Sequence, residues 1–179
     1  MSVARNTASL LVASVLQKVL AFVYFAIIAR LAGVENTGAY FFALSWTLMF
    51  SVVTDLGLTS VLIRESARDH ARAERIMNQI MTLKVPLILL AMLLSVGAAW
   101  ALGTRGDSLL MVAIGALVLA LDGISLMFYG VLRGHHMLSY EGIGLVIGQT
   151  LTLVIGGYIL KTGAPLHWLM LALAAGSAW

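Results

Sequence analysis

The chain has 179 residues, of which 61% are hydrophobic and 11% are charged, and its formal net charge is +3. Soluble domains carry about 25% charged residues, so a chain this apolar cannot cover itself with a polar surface. The composition therefore excludes an ordinary soluble domain and indicates a protein whose solvent is lipid. The chain has no cysteine, which excludes disulfides, cysteine metal sites and thiol nucleophiles.

Five stretches are long and apolar enough to cross a bilayer as helices, which takes about 20 mostly apolar residues. Membrane strands are disfavoured because the apolar runs do not alternate. A sixth stretch covers about half a crossing, so we expect the chain to be a fragment of a longer protein or a truncated reading frame. The predicted fold is all-α, one polytopic bundle over residues 1–179 with helices at 7–32, 37–63, 77–102, 108–132, 142–160 and 167–179 (incomplete).

The distribution of positive residues favours a cytoplasmic N-terminus. With that orientation, seven Lys and Arg residues lie inside and three lie outside. The inside set is Arg5, Arg64, Arg68, Arg72, Arg75, Lys84 and Arg133, and the outside set is Arg30, Arg105 and Lys161.

Four of the inside arginines are spaced to share one face of a helix over residues 64–75. They are Arg64, Arg68, Arg72 and Arg75. Glu65 and Asp69 each precede an arginine by three residues and can pair with it. We interpret this segment as a solvated helix against anionic headgroups, with direct substrate handling as the alternative.

Three charged residues, Lys18, Asp55 and Asp122, lie within predicted membrane helices, where such residues usually face an interior and often carry function. Lys18 falls near the midplane, and Gln17 and Tyr24 lie on the same polar face of its helix. Two interpretations of Lys18 remain open. It is either a cation in a central cavity that attracts an anionic substrate group, or a buried lysine paired with an acid of another helix.

The two acids also have two interpretations each. Asp55 is expected near the cytoplasmic end of its helix, paired with Arg64 or Arg133, and the alternative is a proton or cation site. Asp122 could pair with Lys18 or bind a coupling ion. In the fifth predicted helix Gln149 is a further polar candidate.

Small residues in the fifth predicted helix indicate close helix packing. Gly144 and Gly148 form a small-xxx-small pattern that Thr152 extends.

The sequence predicts no catalytic residue, metal site or cofactor. It lacks the hydrolase elbow and the Walker loop. His135 and His136 are adjacent and point apart on a helix, which is poor for chelation, and the spacing of His136 and Glu141 is only weak evidence for catalysis. The scattered aromatic residues form no base-stacking platform, so no nucleic-acid partner is expected.

Several short segments carry a recognisable pattern, namely Gln17-Lys18-Val19-Leu20-Ala21-Phe22, Ile28-Ala29-Arg30-Leu31-Ala32-Gly33, Glu35, Gly38-Ala39-Tyr40-Phe41, Asp55-Leu56-Gly57-Leu58 with Ile63-Arg64-Glu65, and Gly130-Val131-Leu132-Arg133-Gly134 with Tyr140-Glu141. These segments resemble polysaccharide biosynthesis transporters of the O-antigen flippase type, in the superfamily that includes multidrug and toxin extrusion proteins and lipid II flippases. Members have two similar lobes around a central cavity, and this chain would cover the first lobe.

The resemblance implies a multi-pass protein of the inner membrane that translocates an undecaprenyl-pyrophosphate-linked oligosaccharide by alternating access. Its partners would be that lipid, membrane lipids, and the polysaccharide polymerase and glycosyltransferase machinery. Cavity cations would attract the pyrophosphate, which makes Lys18 and Arg30 candidates. An interface anchor or a partner for Glu35 is the other interpretation of Arg30. The full set of predicted cavity residues is Lys18, Arg30, Gln17, Tyr24, Asp55, Asp122 and Gln149.

Two alternative functions remain open. A proton- or sodium-coupled multidrug or cation antiporter of the same fold would use Asp55 or Asp122 for the ion. A non-transporting assembly partner or truncated remnant is the alternative from a different class.

Overall fold

The computed structural model describes residues 3–69 and 73–179, with side chains described from Asn6 onward in those ranges. All regular structure in them is helical, which confirms the all-α prediction. Five of the helices are long and apolar enough to cross a membrane, namely α1, α2, α4, α5 and α6. The helices are α1 (Val3–Leu31), α2 (Gly33–Asp55), α3 (Leu58–Arg68), α4 (Ala73–Ala101), α5 (Gly106–Gly134), α6 (Leu138–Thr162) and α7 (His167–Ser177).

The prediction of one continuous second helix over 37–63 is wrong, because the chain breaks between α2 and α3. Leu56 has φ of 42° and Gly57 has φ of 85°, both in the left-handed region. Gly57 adopts this conformation without a Cβ clash, whereas Leu56 is strained there. The Asp55 carboxylate accepts the Thr59 backbone N–H at 3.3 Å, so it satisfies a free donor at the start of α3. Apolar periodicity could not reveal the break, since it continues across it.

The predicted helix over 64–75 is also interrupted. Arg64 and Arg68 lie on α3, which ends where Asp69 becomes extended, with φ of −146°. Arg75 belongs to α4, and Arg72 lies outside the described residues. The expected pairing of Glu65 is confirmed, since its Oε1 lies 3.5 Å from Arg68 Nη1.

The helices pack as two groups that α7 joins. α1 packs along α6, while α2, α3 and α4 pack against α5, and α7 contacts both α5 and α6. α1 and α2 meet near their connecting turn, where the rings of Tyr24 and Tyr40 lie edge to face at 6.4 Å. Away from this turn the two helices diverge. The space between the two groups is therefore filled at one end of the bundle and open toward its middle.

Glycines allow α6 and α7 to approach each other closely, as the small-residue pattern predicted. A Cβ on Gly148 would lie 2.6 Å from the carbonyl oxygen of Gly176. Because this oxygen belongs to the backbone, it cannot move aside as the end of a flexible side chain would. Gly144 serves a second contact, since its missing side chain makes room for the Tyr129 ring of α5.

Gly148→Leu is expected to force α6 and α7 apart and to destabilise the protein by about 1–3 kcal/mol, the usual cost of overpacking. Thermal unfolding in detergent measures the effect. The matched control is Gly157→Leu on the same helix, because a Cβ at Gly157 meets nothing within 4 Å. Equal melting temperatures for the two variants would contradict the proposed α6–α7 contact.

Candidate functional site

A cavity of about 660 Å³ opens between α1, α2, α5, α6 and α7. This volume is in the range of about 300–1,000 Å³ that is usual for small-molecule sites. Apolar side chains such as Leu44 and Leu126 form part of the wall. Its polar and charged lining consists of Gln17, Lys18, Thr47, Ser51, Thr54, Asp55, Asp122 and Gln149.

Helix α2 contributes a row of hydroxyls to the cavity. Thr47, Ser51 and Thr54 each donate a hydrogen bond of 2.7 Å to a backbone carbonyl of their own helix. These bonds satisfy the hydroxyl protons inside the bundle, as is usual for Ser and Thr in apolar helices. The Ser51 hydroxyl is partly exposed and keeps lone pairs that can accept hydrogen bonds from a ligand, whereas Thr47 and Thr54 are buried.

Lys18 lies at the open edge of the cavity. It is twelve residues beyond Asn6, the start of the apolar span, which is about 18 Å along the helix axis. Its side chain is exposed and, within the described part of the chain, forms no ion pair. The interpretation that Lys18 is buried and paired with Asp122 is therefore wrong, although both residues line the same cavity.

The predicted pairing of Asp55 with Arg64 or Arg133 is also wrong. Asp55 Oδ1 instead lies 2.8 Å from Lys84 Nζ of α4. The Lys84 ammonium also donates to Thr59 Oγ1 at 3.2 Å, and the Thr59 hydroxyl donates to Asp55. The Lys84 side chain is fully buried, whereas a quarter of the Asp55 side chain remains exposed on the cavity side.

Sequence reasoning missed Lys84 because it was counted among the cytoplasmic cations. It lies eleven residues into α4, about 16 Å from the start of that helix. Its neighbours Leu83, Val85 and Pro86 belong to an apolar run within the predicted third helix. This apolar neighbourhood is the signal by which Lys84 could have been grouped with Lys18, Asp55 and Asp122 as a charged residue inside the membrane. A buried lysine requires an acid, and Asp55 is that acid.

Asp122 of α5 faces the cavity and remains exposed there. Among the described residues it makes no ion pair, so its negative charge is not neutralised by a neighbouring cation. Gln149 of α6 and Gln17 of α1 line the cavity together with it. The structure therefore brings five of the seven predicted residues to one cavity: Gln17, Lys18, Asp55, Asp122 and Gln149.

The other two predicted residues, Tyr24 and Arg30, do not line this cavity. Tyr24 is buried in the core, where it packs against Tyr40 and against Gly156, whose missing side chain leaves room for the tyrosine ring. Arg30 is exposed in the last turn of α1, and in the described part of the chain it forms no ion pair with Glu35.

A second ion pair, between the buried Glu141 and the partly exposed Arg133, lies where α5 turns into α6. Arg133 donates two hydrogen bonds to Glu141, from Nε to Oε2 at 2.9 Å and from Nη2 to Oε1 at 2.5 Å. Nearby, the side-chain amide of Asn6 donates to the His136 carbonyl at 2.5 Å. Because Arg133 engages both Glu141 oxygens, that carboxylate is not available to His136 as an acid–base partner. These contacts join the α5–α6 connection to α1.

Five helices that are long and apolar enough to cross a membrane, in a bundle that holds a polar cavity, define a multi-pass membrane protein. The family model described as polysaccharide biosynthesis protein matches residues 3–178, and the chain belongs to this family. Comparison with curated proteins and with solved structures finds no match. Membership indicates a flippase or transporter role in polysaccharide biosynthesis.

Proposed function

We propose that the protein translocates an undecaprenyl-pyrophosphate-linked oligosaccharide across the inner membrane by alternating access. The observation that carries this proposal is Lys18, a cation at mid-membrane depth that faces a cavity and has no acid partner among the described residues. An unpaired charge at this depth is costly and usually functional. A pyrophosphate supplies the missing negative charge.

The two lysines of the cavity region have different roles in this proposal. Lys84 is neutralised by Asp55 and fully buried, so it is not available to a ligand. Lys18 is exposed and unneutralised. Attraction between Lys18 and a pyrophosphate is strengthened by the low dielectric of the surrounding apolar walls.

The proposed orientation keeps the N-terminus in the cytoplasm. Without Lys84, which lies within a membrane-spanning helix, six Lys and Arg residues still belong to segments that the sequence predicts inside, against three that it predicts outside. The asymmetry still follows the excess of positive residues in cytoplasmic loops. Accessibility of introduced cysteines at the two ends to an impermeant thiol reagent tests this orientation.

Lys18→Ala is expected to lower translocation at least tenfold without unfolding the protein, because it removes the cation but leaves the core contacts in place. The assay follows a fluorescent undecaprenyl-pyrophosphate oligosaccharide in proteoliposomes that contain the complete gene product. The matched control is Lys161→Ala, an exposed lysine in the last turn of α6 that is expected to transport normally. Normal transport by Lys18→Ala would reject the role of this cation.

Asp122 supports a second candidate, a proton- or sodium-coupled antiporter of the same fold. Its exposed, unneutralised carboxylate could bind a coupling ion, whereas Asp55 is already occupied by Lys84. Proton-driven uptake of a cationic dye, in the absence of lipid translocation, would favour the antiporter.

A further inference from the structure

A smaller pocket of about 180 Å³ opens beside the main cavity, between α1, α5, α6 and α7. Gln17, Asp122 and Gln149 line both spaces, so the pocket and the cavity lie side by side. The pocket is well below the usual size of drug-sized sites, which is about 300–1,000 Å³. Its volume therefore suits a single ring and excludes a longer chain.

The pocket lining carries neutral hydrogen-bonding groups and one carboxylate. The polar residues are Gln17, Asp122, Ser125, Tyr129, Gln149, Thr152 and Ser177. No Lys or Arg lies among the described residues that line it. Hydroxyls, carboxamides and a carboxylate in a small space match the alternating donors and acceptors of a polyhydroxyl ring.

Several of these groups have hydrogen-bonding capacity left for a ligand. Ser125 donates to the Ser177 carbonyl at 3.2 Å, so its hydroxyl oxygen keeps lone pairs for a ligand, whereas Thr152 donates to the Gly148 carbonyl at 3.1 Å and is only 2% exposed. The Asp122 carboxylate makes no ion pair in the described part of the chain. A carboxylate accepts hydrogen bonds from hydroxyls more strongly than a neutral group does.

The positions of Lys18 and Asp122 indicate where the phosphate and the neutral part of a ligand would bind. Lys18 lines the main cavity but not the pocket, whereas Asp122 lines both. A phosphate is attracted by Lys18 and repelled by Asp122, so it belongs on the Lys18 side. Gln17, the chain neighbour of Lys18, reaches the pocket. A neutral ring attached directly to the phosphate can therefore occupy the pocket.

We propose that this pocket binds the sugar ring bonded to the pyrophosphate, and that Asp122 accepts hydrogen bonds from its hydroxyls. The inference rests on the proposed function, which supplies the lipid-linked saccharide. Asp122 is thereby a specificity residue that distinguishes a glycosylated lipid from the bare lipid pyrophosphate. Gln17 and Gln149 complete the hydrogen-bonding of the same ring.

The test compares the binding of two probes to the complete gene product in nanodiscs: undecaprenyl-pyrophosphate-linked N-acetylglucosamine and undecaprenyl pyrophosphate without a sugar. The unmodified protein is expected to bind the glycosylated lipid at least tenfold more tightly. Asp122→Leu is expected to remove about tenfold of that affinity, the size expected for lost hydrogen bonds to a charged group. Binding of the bare lipid by the same variant is expected to be retained or tightened, because the carboxylate that repels the pyrophosphate is gone, and retained binding also shows that the variant is folded.

The variant Lys18→Ala distinguishes a failure of the sugar-pocket proposal from a failure of the proposed function. It is expected to weaken the binding of both lipids by a similar factor and so to preserve the ratio between them. Equal affinity of the unmodified protein for both lipids, or an equal loss for both in Asp122→Leu, overturns the sugar pocket and leaves the proposed function intact. Failure of the unmodified protein to bind either lipid overturns the proposed function itself. If Asp122→Leu retains the preference for the glycosylated lipid but loses proton or sodium dependence of transport, Asp122 is an ion site and the sugar pocket is rejected.

Discussion

Asp55→Ala is expected to destabilise the protein by about 3–5 kcal/mol, because it leaves the Lys84 ammonium fully buried without its carboxylate. Among the residues that the structure describes, Thr59 Oγ1, at 3.2 Å, is the acceptor that remains for that ammonium. This loss is a large share of the total stability of an ordinary domain, which is about 5–15 kcal/mol. The expected result is a sharp fall in the melting temperature in detergent and in the amount of folded protein in the membrane.

The reverse replacement, Lys84→Met, is expected to cost less. Asp55 keeps its hydrogen bonds from the Thr59 backbone and hydroxyl, and a quarter of its side chain is exposed to the cavity. Methionine fills most of the volume of the lysine chain. The asymmetry follows from burial, since the carboxylate can be hydrated from the cavity and the ammonium cannot.

The double variant, Asp55→Ala with Lys84→Met, completes a thermodynamic cycle. It is expected to recover much of the stability lost in Asp55→Ala, because replacement of a whole buried pair by apolar groups is often nearly neutral. If the double variant is as unstable as the sum of the two single variants, the residues do not interact and the assigned ion pair is incorrect.

Arg133→Ala is expected to destabilise the protein by about 3–5 kcal/mol for the same reason. The Glu141 side chain is only 3% exposed and would lose both hydrogen bonds from the guanidinium. Arg133→Lys is expected to give an intermediate loss, because lysine cannot make the two parallel bonds. Thermal unfolding of the unmodified protein, Arg133→Ala and Arg133→Lys in the same detergent measures the order of their stabilities.

The control for this series is Arg68→Ala. Arg68 and Glu65 form an ion pair at 3.5 Å, but 71% of the Arg68 side chain is exposed. Exposed pairs contribute about 0–1 kcal/mol, so this variant is expected to melt close to the unmodified protein. A loss in Arg133→Ala no larger than in Arg68→Ala would show that burial of Glu141 does not decide the effect.

The all-α class and the five membrane-spanning helices could be predicted from the sequence alone. Long apolar runs have a single favourable solution in lipid, because every backbone donor and acceptor must be satisfied within the segment. Polar positions on helix faces were equally readable, and for this reason Gln17, Lys18, Asp55, Asp122 and Gln149 were identified and meet at one cavity.

The partners of the charged residues could not be predicted. Lys84 lies 29 positions from Asp55 in the sequence, and only the packing of α4 against α2 and α3 brings them together. The pairing of Arg133 with Glu141 likewise depends on how α5 turns into α6. Which residues are charged can be read directly from the sequence. Which of them pair depends on the distances between helices.

The sequence by itself thus determined a helical membrane protein with a polar interior, since lipid imposes that outcome on its composition. The break at Leu56 and Gly57 has a local support, since Asp55 accepts hydrogen bonds from Thr59 four residues later, and a tertiary one, since Asp55 pairs with Lys84 of α4. Tertiary structure also brought Lys18 and Asp122 to one cavity, where neither forms an ion pair with another described residue. The helical period of the sequence determines which residues share one face of a helix. The distance between the faces of two different helices is determined by how the neighbouring helices pack.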